Sequence, residues 1–338
     1  MSVDRVLPRA AIVGIAGSTL SSEELQLFSQ TQPLGFILFA RNIVNKSQVK
    51  ELVADLRNSV NHNAPVLIDQ EGGRVQRLKP PIWRQAPPAR IFGDLAGRDL
   101  ARARQAVRLN ALLIGRELAE LGIDVDCAPV VDVPSAGAHD VIGDRAYSHS
   151  PALVAELGRA AIEGFLDAGV IPMIKHIPGH GRARVDSHEA LPVVDADAQT
   201  LERSDFIPFQ ALADAPMAMT AHIVYTALDA RHPATSSSVV ITQLIRKAMG
   251  FKGFLISDDL SMKALSGSYS EKTASALKAG CDAVLHCNGK MDQMQEVLAA
   301  APALSRASNE RLERAYAMLS ESDETASLAD LEQLLSDA

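Results

Sequence analysis

Cysteine is scarce in this chain. The three that occur in 338 residues, Cys127, Cys281 and Cys287, have apolar neighbours and no zinc-ribbon spacing. That excludes a disulfide framework and reads as core thiols of a reducing compartment. A basic excess is also lacking. The formal net charge is -8, so neither nucleic acid nor an acidic membrane surface, both of which need clustered Lys and Arg, is an expected partner. No run of about 18 apolar residues appears. The start, Met1-Ser2-Val3-Asp4-Arg5-Val6-Leu7-Pro8, lacks the basic end and long apolar segment of a secretion signal. A cytoplasmic protein without stable membrane association is expected. No Gly-x-Gly-x-x-Gly follows an apolar run, which removes the usual dinucleotide-binding turn, and no low-complexity linker divides the chain.

What is present is an alternation of short apolar runs with amphipathic stretches. The runs at 11–17, 35–39, 65–69, 123–129, 170–174, 218–224, 253–258 and 282–286 read as eight strands. Amphipathic or capped segments between them read as helices, among them 46–60, 99–121, 151–168, 198–213, 241–249 and 270–279, with another near 308–319 in the C-terminal part. Each strand is a continuous apolar run rather than an alternating one, as in a parallel sheet covered on both faces. The spacing predicts an α/β fold, a single (β/α)8 TIM-type barrel, with a doubly wound open sheet as the rival. One catalytic domain is expected over residues 1–338, closed by C-terminal helices, with an acidic tail at 320–338 that has the composition of a mobile end.

The densest polar cluster is Lys175-His176-Ile177-Pro178-Gly179-His180-Gly181-Arg182-Ala183-Arg184-Val185-Asp186-Ser187-His188, directly after the fifth run. Strand ends are where α/β proteins collect their chemistry. Pro178, Gly179 and Gly181 turn the chain sharply and leave His180 and the Asp186-Ser187-His188 triplet on a long loop. An Asp and a His one residue apart can hydrogen-bond, which fixes the imidazole tautomer and favours its charged form. Other runs end in polar groups too: Arg41-Asn42, Asp69-Gln70-Glu71, His222 and Asp258-Asp259, with Gly143-Asp144-Arg145 between the fourth and fifth. Such a cup of carboxylates, imidazoles and cations suits a polyhydroxylated ligand. Either Asp258 or Asp259 could instead cap a helix, and Glu71 reads equally as a second carboxylate or as part of a structural loop. Zinc on His176, His180, His188 and Asp258 is the chemical rival, but Pro178-Gly179 rules out the helical His-x-x-x-His presentation. No metal and no cofactor is expected.

These motifs resemble family 3 glycoside hydrolases of the bacterial cytosolic β-N-acetylglucosaminidase type. The likeness rests on the cluster from Lys175 to His188 and on Gly35 to Asn42, Ile68 to Val75, Ala128 to Val133, Gly143-Asp144-Arg145, Met219 to His222 and Ser257 to Met262. Ile177 departs from the Phe more often found there. The resemblance implies a retaining exo-β-N-acetylglucosaminidase, a β-N-acetylhexosaminidase, with Asp258 as nucleophile and His188, oriented by Asp186, as general acid and base. Asp69, Arg77, Arg145, Lys175 and His176 would bind the sugar. The implied substrate is the terminal N-acetylglucosamine of muropeptides, removed from anhydro-N-acetylmuramic acid in peptidoglycan recycling. Arg182 and Arg184 could attract a muropeptide's carboxylates. Phosphorolysis, β-glucosidase activity and a non-catalytic sugar-binding barrel are the alternatives.

Overall fold

The computed structural model of the chain describes residues 7–320 and 325–336. Eight parallel strands close into a barrel: β1 (Arg9–Gly14), β2 (Pro33–Leu38), β3 (Val66–Ile68), β4 (Val125–Asp126), β5 (Ile171–Ile177), β6 (Met217–Thr220), β7 (Phe254–Asp259) and β8 (Ala283–His286). Closure is made by β1 against β8, with Ile12 opposite Leu285. The (β/α)8 expectation therefore holds.

Each strand is buried on both faces because alternate residues serve two different cores. Ile12, Ile37, Leu67, Met173, Met217 and Ile256 fill the lumen. Their neighbours Val13, Phe36, Ile68, Ile174, Ala218 and Leu255 face the outer helices. This two-sided demand is why no strand shows polar alternation.

The outer layer includes α1 (Ser22–Thr31), α2 (Lys46–Asn58), α3 (Ala89–Ala96), α4 (Leu100–Glu120) and α5 (Pro151–Asp167). Ser21 opens α1 with a capping box to Glu24. Two helical expectations change. The segment 198–213 breaks into α6 (Ala198–Glu202) and α7 (Ile207–Ala211), because Pro208 has no N–H to continue a helix from above but suits the first turn of a new one. Val240–Ala248 winds as a π-helix, with the Met249 N–H donating to Leu244 O at 2.8 Å. Beyond these lie α8 (Tyr269–Ala279), α9 (Met291–Ala300) and α10 (Arg306–Tyr316). In the segment read as a tail, Leu328–Ser336 forms α11, which buries Leu331 and packs on α4. Arg102 of α4 donates to the carbonyls of Gln333 and Leu334 at its C-terminal end.

A buried carboxylate locks the C-terminal helices to the barrel. Asp282 accepts from the Leu255 N–H (2.9 Å), Arg246 (2.9 Å), Arg311 (2.6 Å) and Ser308 Oγ (2.7 Å). Replacing it strands two guanidiniums and a strand N–H. Asp282→Ala is expected to lower unfolding free energy by about 3–5 kcal/mol, read as a fall in the urea midpoint. A variant within about 0.5 kcal/mol of the parent would show that the lock carries nothing.

Candidate active site

The same alternation that fills the lumen delivers the polar groups to its mouth. Leu67 and Asp69 share one face of the chain after β3, Met173 and Lys175 one face of β5, and Phe254, Ile256 and Asp258 one face of β7. Where the apolar layers end, the next inward position is charged. Asp69, Lys175 and Asp258 line a cavity of about 160 Å³, with Phe39, Met219 and Cys287 completing the layer from β2, β6 and β8.

Lys175 is 3% exposed and ion-paired on two sides, to Asp69 Oδ1 at 2.8 Å and Glu71 Oε1 at 2.7 Å. Glu71 sits on a hairpin (Gln70–Gly72 with Val75–Gln76) and grips Arg145 with both oxygens at 2.8 Å. Asp69 also pairs with Arg77 at 3.1 Å. The result is a chain of alternating sign, Arg77, Asp69, Lys175, Glu71, Arg145. Burial alone would push both carboxyls up, but Lys175 and Arg77 hold Asp69 well below the usual range, and Arg145 and Lys175 bring Glu71 down to about 2. Burial works against the Lys175 ammonium, yet Asp69 and Glu71 raise it above its ordinary value. Every member stays charged, and Glu71 is thus a strut of this chain rather than a free second acid.

Asp258 is different. It makes no ion pair among the described residues, and its Oδ1 accepts only the Asp259 N–H, at 2.8 Å. Burial pushes its carboxyl up, but His222, His176 and Lys175 nearby outweigh that and hold it below the usual range. It is therefore an ionised, unpaired carboxylate facing the cavity. Asp259 is a turn former instead: it accepts from Ser261 and from the Cys287 N–H at 3.0 Å. The alternative reading of one of this pair as a helix cap is not realised, since the next helix, α8, begins at Tyr269 and is capped by Ser268. His222, wholly buried at the end of β6, lies between Thr235 Oγ1 (2.7 Å) and the Asp259 carbonyl (3.0 Å), which steadies the end of β7.

The loop after β5 is held at its root by Asp132, whose importance the sequence did not reveal. Asp132 is fully buried and accepts from His176 Nδ1 (2.7 Å), the His176 N–H (3.1 Å) and the His180 N–H (2.6 Å). A carboxylate only accepts, so His176 carries its proton on Nδ1. Gly181 packs so closely that a Cβ there would lie 1.9 Å from the Val133 carbonyl oxygen, and Gly179 adopts a φ of +139°. Any side chain at 181 would push the loop off its seat.

At the loop's far end Asp186 Oδ1 accepts from both the His188 N–H (2.8 Å) and Nδ1 (2.7 Å). Burial would raise the Asp186 carboxyl, but these two donors hold it below its usual value. The His188 side chain is 68% exposed, and the residue lines the same cavity as Asp258. The structure thus brings Asp69, Arg77, Arg145, Lys175, His176, His188 and Asp258 to one cavity, with Asp186 behind His188. Arg182 does not join them: it is engaged by Asp205 at 2.6 Å and Ser204 at 2.8 Å, whereas Arg184 is exposed. No group of three or more His, Cys, Asp and Glu among the described residues is arranged to hold a metal. Cys287, in the cavity wall, is buried, and burial with Asp259 and Asp69 nearby pushes its thiol well above the ordinary value.

A (β/α)8 barrel with these groups at its mouth is built as a glycoside hydrolase. The model for the glycosyl hydrolase family 3 N terminal domain matches residues 10–319. A β-hexosaminidase from Chromobacterium violaceum is 37% identical over 313 residues, covering 91% of this chain and 87% of that protein. One from Thioalkalivibrio sulfidiphilus is 38% identical over 284 residues, covering 82% and 80%. The crystal structure of NagZ from Neisseria gonorrhoeae in complex with N-trifluoroacetyl-D-glucosamine superposes with a TM-score of 0.87 at 30% identity, covering 99% of this chain and 98% of that one. The chain belongs to glycosyl hydrolase family 3 and is an enzyme of the β-N-acetylhexosaminidase kind.

His180 provides a pH test of this architecture. Burial, with His176 alongside, lowers its imidazole from 6.5 to about 4. Below pH 6.5 the unfolded chain takes up a proton at this site, and the folded chain does so only near pH 4. The stability is complete above pH 6.5 and is lost as pH falls toward 4, by up to about 3 kcal/mol. Burial lowers His222 in the same direction. Urea midpoints measured between pH 7 and 4.5 are expected to fall steadily, and His180→Asn to flatten the slope. An unchanged slope in that variant would show the ring to be solvated.

Proposed function

We propose that this enzyme is a retaining exo-β-N-acetylglucosaminidase that removes terminal N-acetylglucosamine from muropeptides in peptidoglycan recycling, acting in the cytoplasm on a small-molecule substrate. No helix among the described residues is long and apolar enough to cross a membrane. The muropeptide and its pathway rest on the family likeness and on similarity to NagZ. The observation that carries the mechanism is the isolation of Asp258. Of the carboxylates lining the cavity, Asp69 and Glu71 are bound in ion pairs and Asp259 in a turn, which leaves Asp258 as the unpaired anion. A covalent double displacement needs one such nucleophile and one separate proton donor.

In the first step an Asp258 oxygen forms a bond to the anomeric carbon as the glycosidic C–O bond breaks. The leaving oxygen takes the proton from His188 Nε2, the ring nitrogen that Asp186 leaves free. In the second step water gives a proton to the same nitrogen while its oxygen displaces Asp258. An imidazole suits the role because, once deprotonated, it puts no second anion beside the carboxylate. Asp186, bonded to Nδ1, fixes the ring's orientation and leaves Nε2 as the nitrogen that exchanges the proton. Arg145, Arg77, Lys175 and His176 offer fixed donors to sugar hydroxyls, and Asp69 an acceptor.

An activated aryl N-acetyl-β-glucosaminide bearing fluorine at C5, which slows the second step, is expected to leave a sugar adduct on Asp258, found by peptide mass spectrometry. An adduct elsewhere, or aryl release that Asp258→Ala does not abolish, sinks the mechanism. Products formed from a GlcNAc-anhydroMurNAc-peptide with and without phosphate separate hydrolysis from phosphorolysis and test the substrate. Free N-acetylglucosamine in both is the expected result.

A further inference from the structure

His180 belongs neither to the sugar-binding set nor to the acid/base pair, yet it is among the most carefully held side chains in the site. It is 3% exposed, lies edge-on to His176 with ring centroids 5.4 Å apart, and lines the cavity. Its backbone N–H is fixed by Asp132, and its Nε2 lies 3.2 Å from Ser187 Oγ. Ser187 sits between Asp186 and His188. It is 2% exposed, while the side chains on either side are 24% and 68% exposed. Within the triplet, then, the middle residue is the one buried in the protein. Its carbonyl also accepts the Ala264 N–H, at 3.2 Å, from the loop that follows Asp258.

We propose that His180 is a positioning residue that holds the acid/base pair over the cavity through Ser187. The route runs Asp132, His180 backbone, His180 ring, Ser187, and so to the residues that flank it. The triplet's other hydrogen bonds are short-range, within residues 186–190, apart from the Ser187 carbonyl contact. The contact between ring and hydroxyl is therefore the side-chain tie from the triplet to the barrel. A hydroxyl can both donate and accept, so the bond forms whichever ring nitrogen carries the proton. Proton transfer is sensitive to such placement, since an error of about 1 Å can cost on the order of 100-fold in rate.

This inference rests on His188 acting as acid and base, and the test separates the two. The full chain and its variants His180→Ala, Ser187→Ala, the double variant, His180→Gln and His188→Ala are assayed on two N-acetyl-β-glucosaminides. One is 2,4-dinitrophenyl, whose departure needs no proton. The other is a poor leaving group such as an alkyl glycoside, whose departure does. His180→Ala and Ser187→Ala are expected to lose about 100-fold more kcat/KM on the poor leaving group than on the activated one. Added azide, which attacks the glycosyl-enzyme without a base, should raise their turnover of the activated substrate. The double variant should be no worse than either single one, and His180→Gln, whose amide can reach the same hydroxyl, should retain most of the activity. Thermal melting confirms folding, and Ser187→Ala, the milder change, decides if His180→Ala does not fold. Equal losses on both substrates with no azide response, while His188→Ala shows the split, overturn the positioning role and leave the acid/base reading standing. If His188→Ala itself shows no split, the acid/base reading falls and the positioning role with it.

Discussion

Everything at the mouth of this barrel depends on making a buried lysine tolerable. Lys175 lies almost entirely out of water, where an unpaired ammonium would be deprotonated or would unfold the chain. Asp69 and Glu71 compensate it, and Arg77 and Arg145 compensate them in turn. Three cations against two carboxylates leave one positive charge in excess, beside the unpaired Asp258. The network fixes several donors in place without a ligand, and its Lys175 joins His222 and His176 in holding the neighbouring carboxylate ionised. Preorganisation of this kind avoids the cost of reorienting polar groups during the reaction.

The two groups of the proposed double displacement stand on different kinds of structure. Asp258 is part of a barrel strand, and its orientation follows from the lumen packing of Phe254 and Ile256. The Asp186–His188 pair is on a loop fastened by Asp132 and by close backbone contact at Gly181. The strand supplies a half-buried anion fixed by the lumen packing, whereas the loop supplies the group proposed to exchange protons with water. His188's exposure is consistent with that division of labour.

Much of this could be read from residues alone. The eight apolar runs are the strands, because burial on both faces leaves a continuous hydrophobic signature. Runs ending in Asp69, Lys175 and Asp258 point inward by simple alternation. What stayed hidden depends on partners distant in sequence. Asp132 lies between Val131 and Val133 and looks like any strand end, since its partner His176 is 44 residues away. Glu71 was ambiguous until Arg145, 74 residues on, reached it. Arg182 read as a free cation because Asp205 belongs to another segment. The fourth run, at 123–129, looked like a full strand but is regular only at Val125–Asp126. Pro129 lacks an N–H, and the pairing continues irregularly through Cys127 and Val131. The helix at Leu328–Ser336 was lost in an acidic composition whose few leucines meet α4.

The thiol in the cavity wall has a bearing on how this enzyme could be blocked. Cys287 sits beside the substrate space, where an electrophilic inhibitor would ordinarily find a nucleophilic sulfur. Burial and the surrounding carboxylates keep that sulfur protonated, and thiols rather than thiolates react sluggishly with alkylating groups and peroxide. Electrophiles aimed at this cysteine are therefore expected to react slowly, which leaves the carboxylate oxygens and the exposed His188 imidazole as the nucleophiles of the cavity.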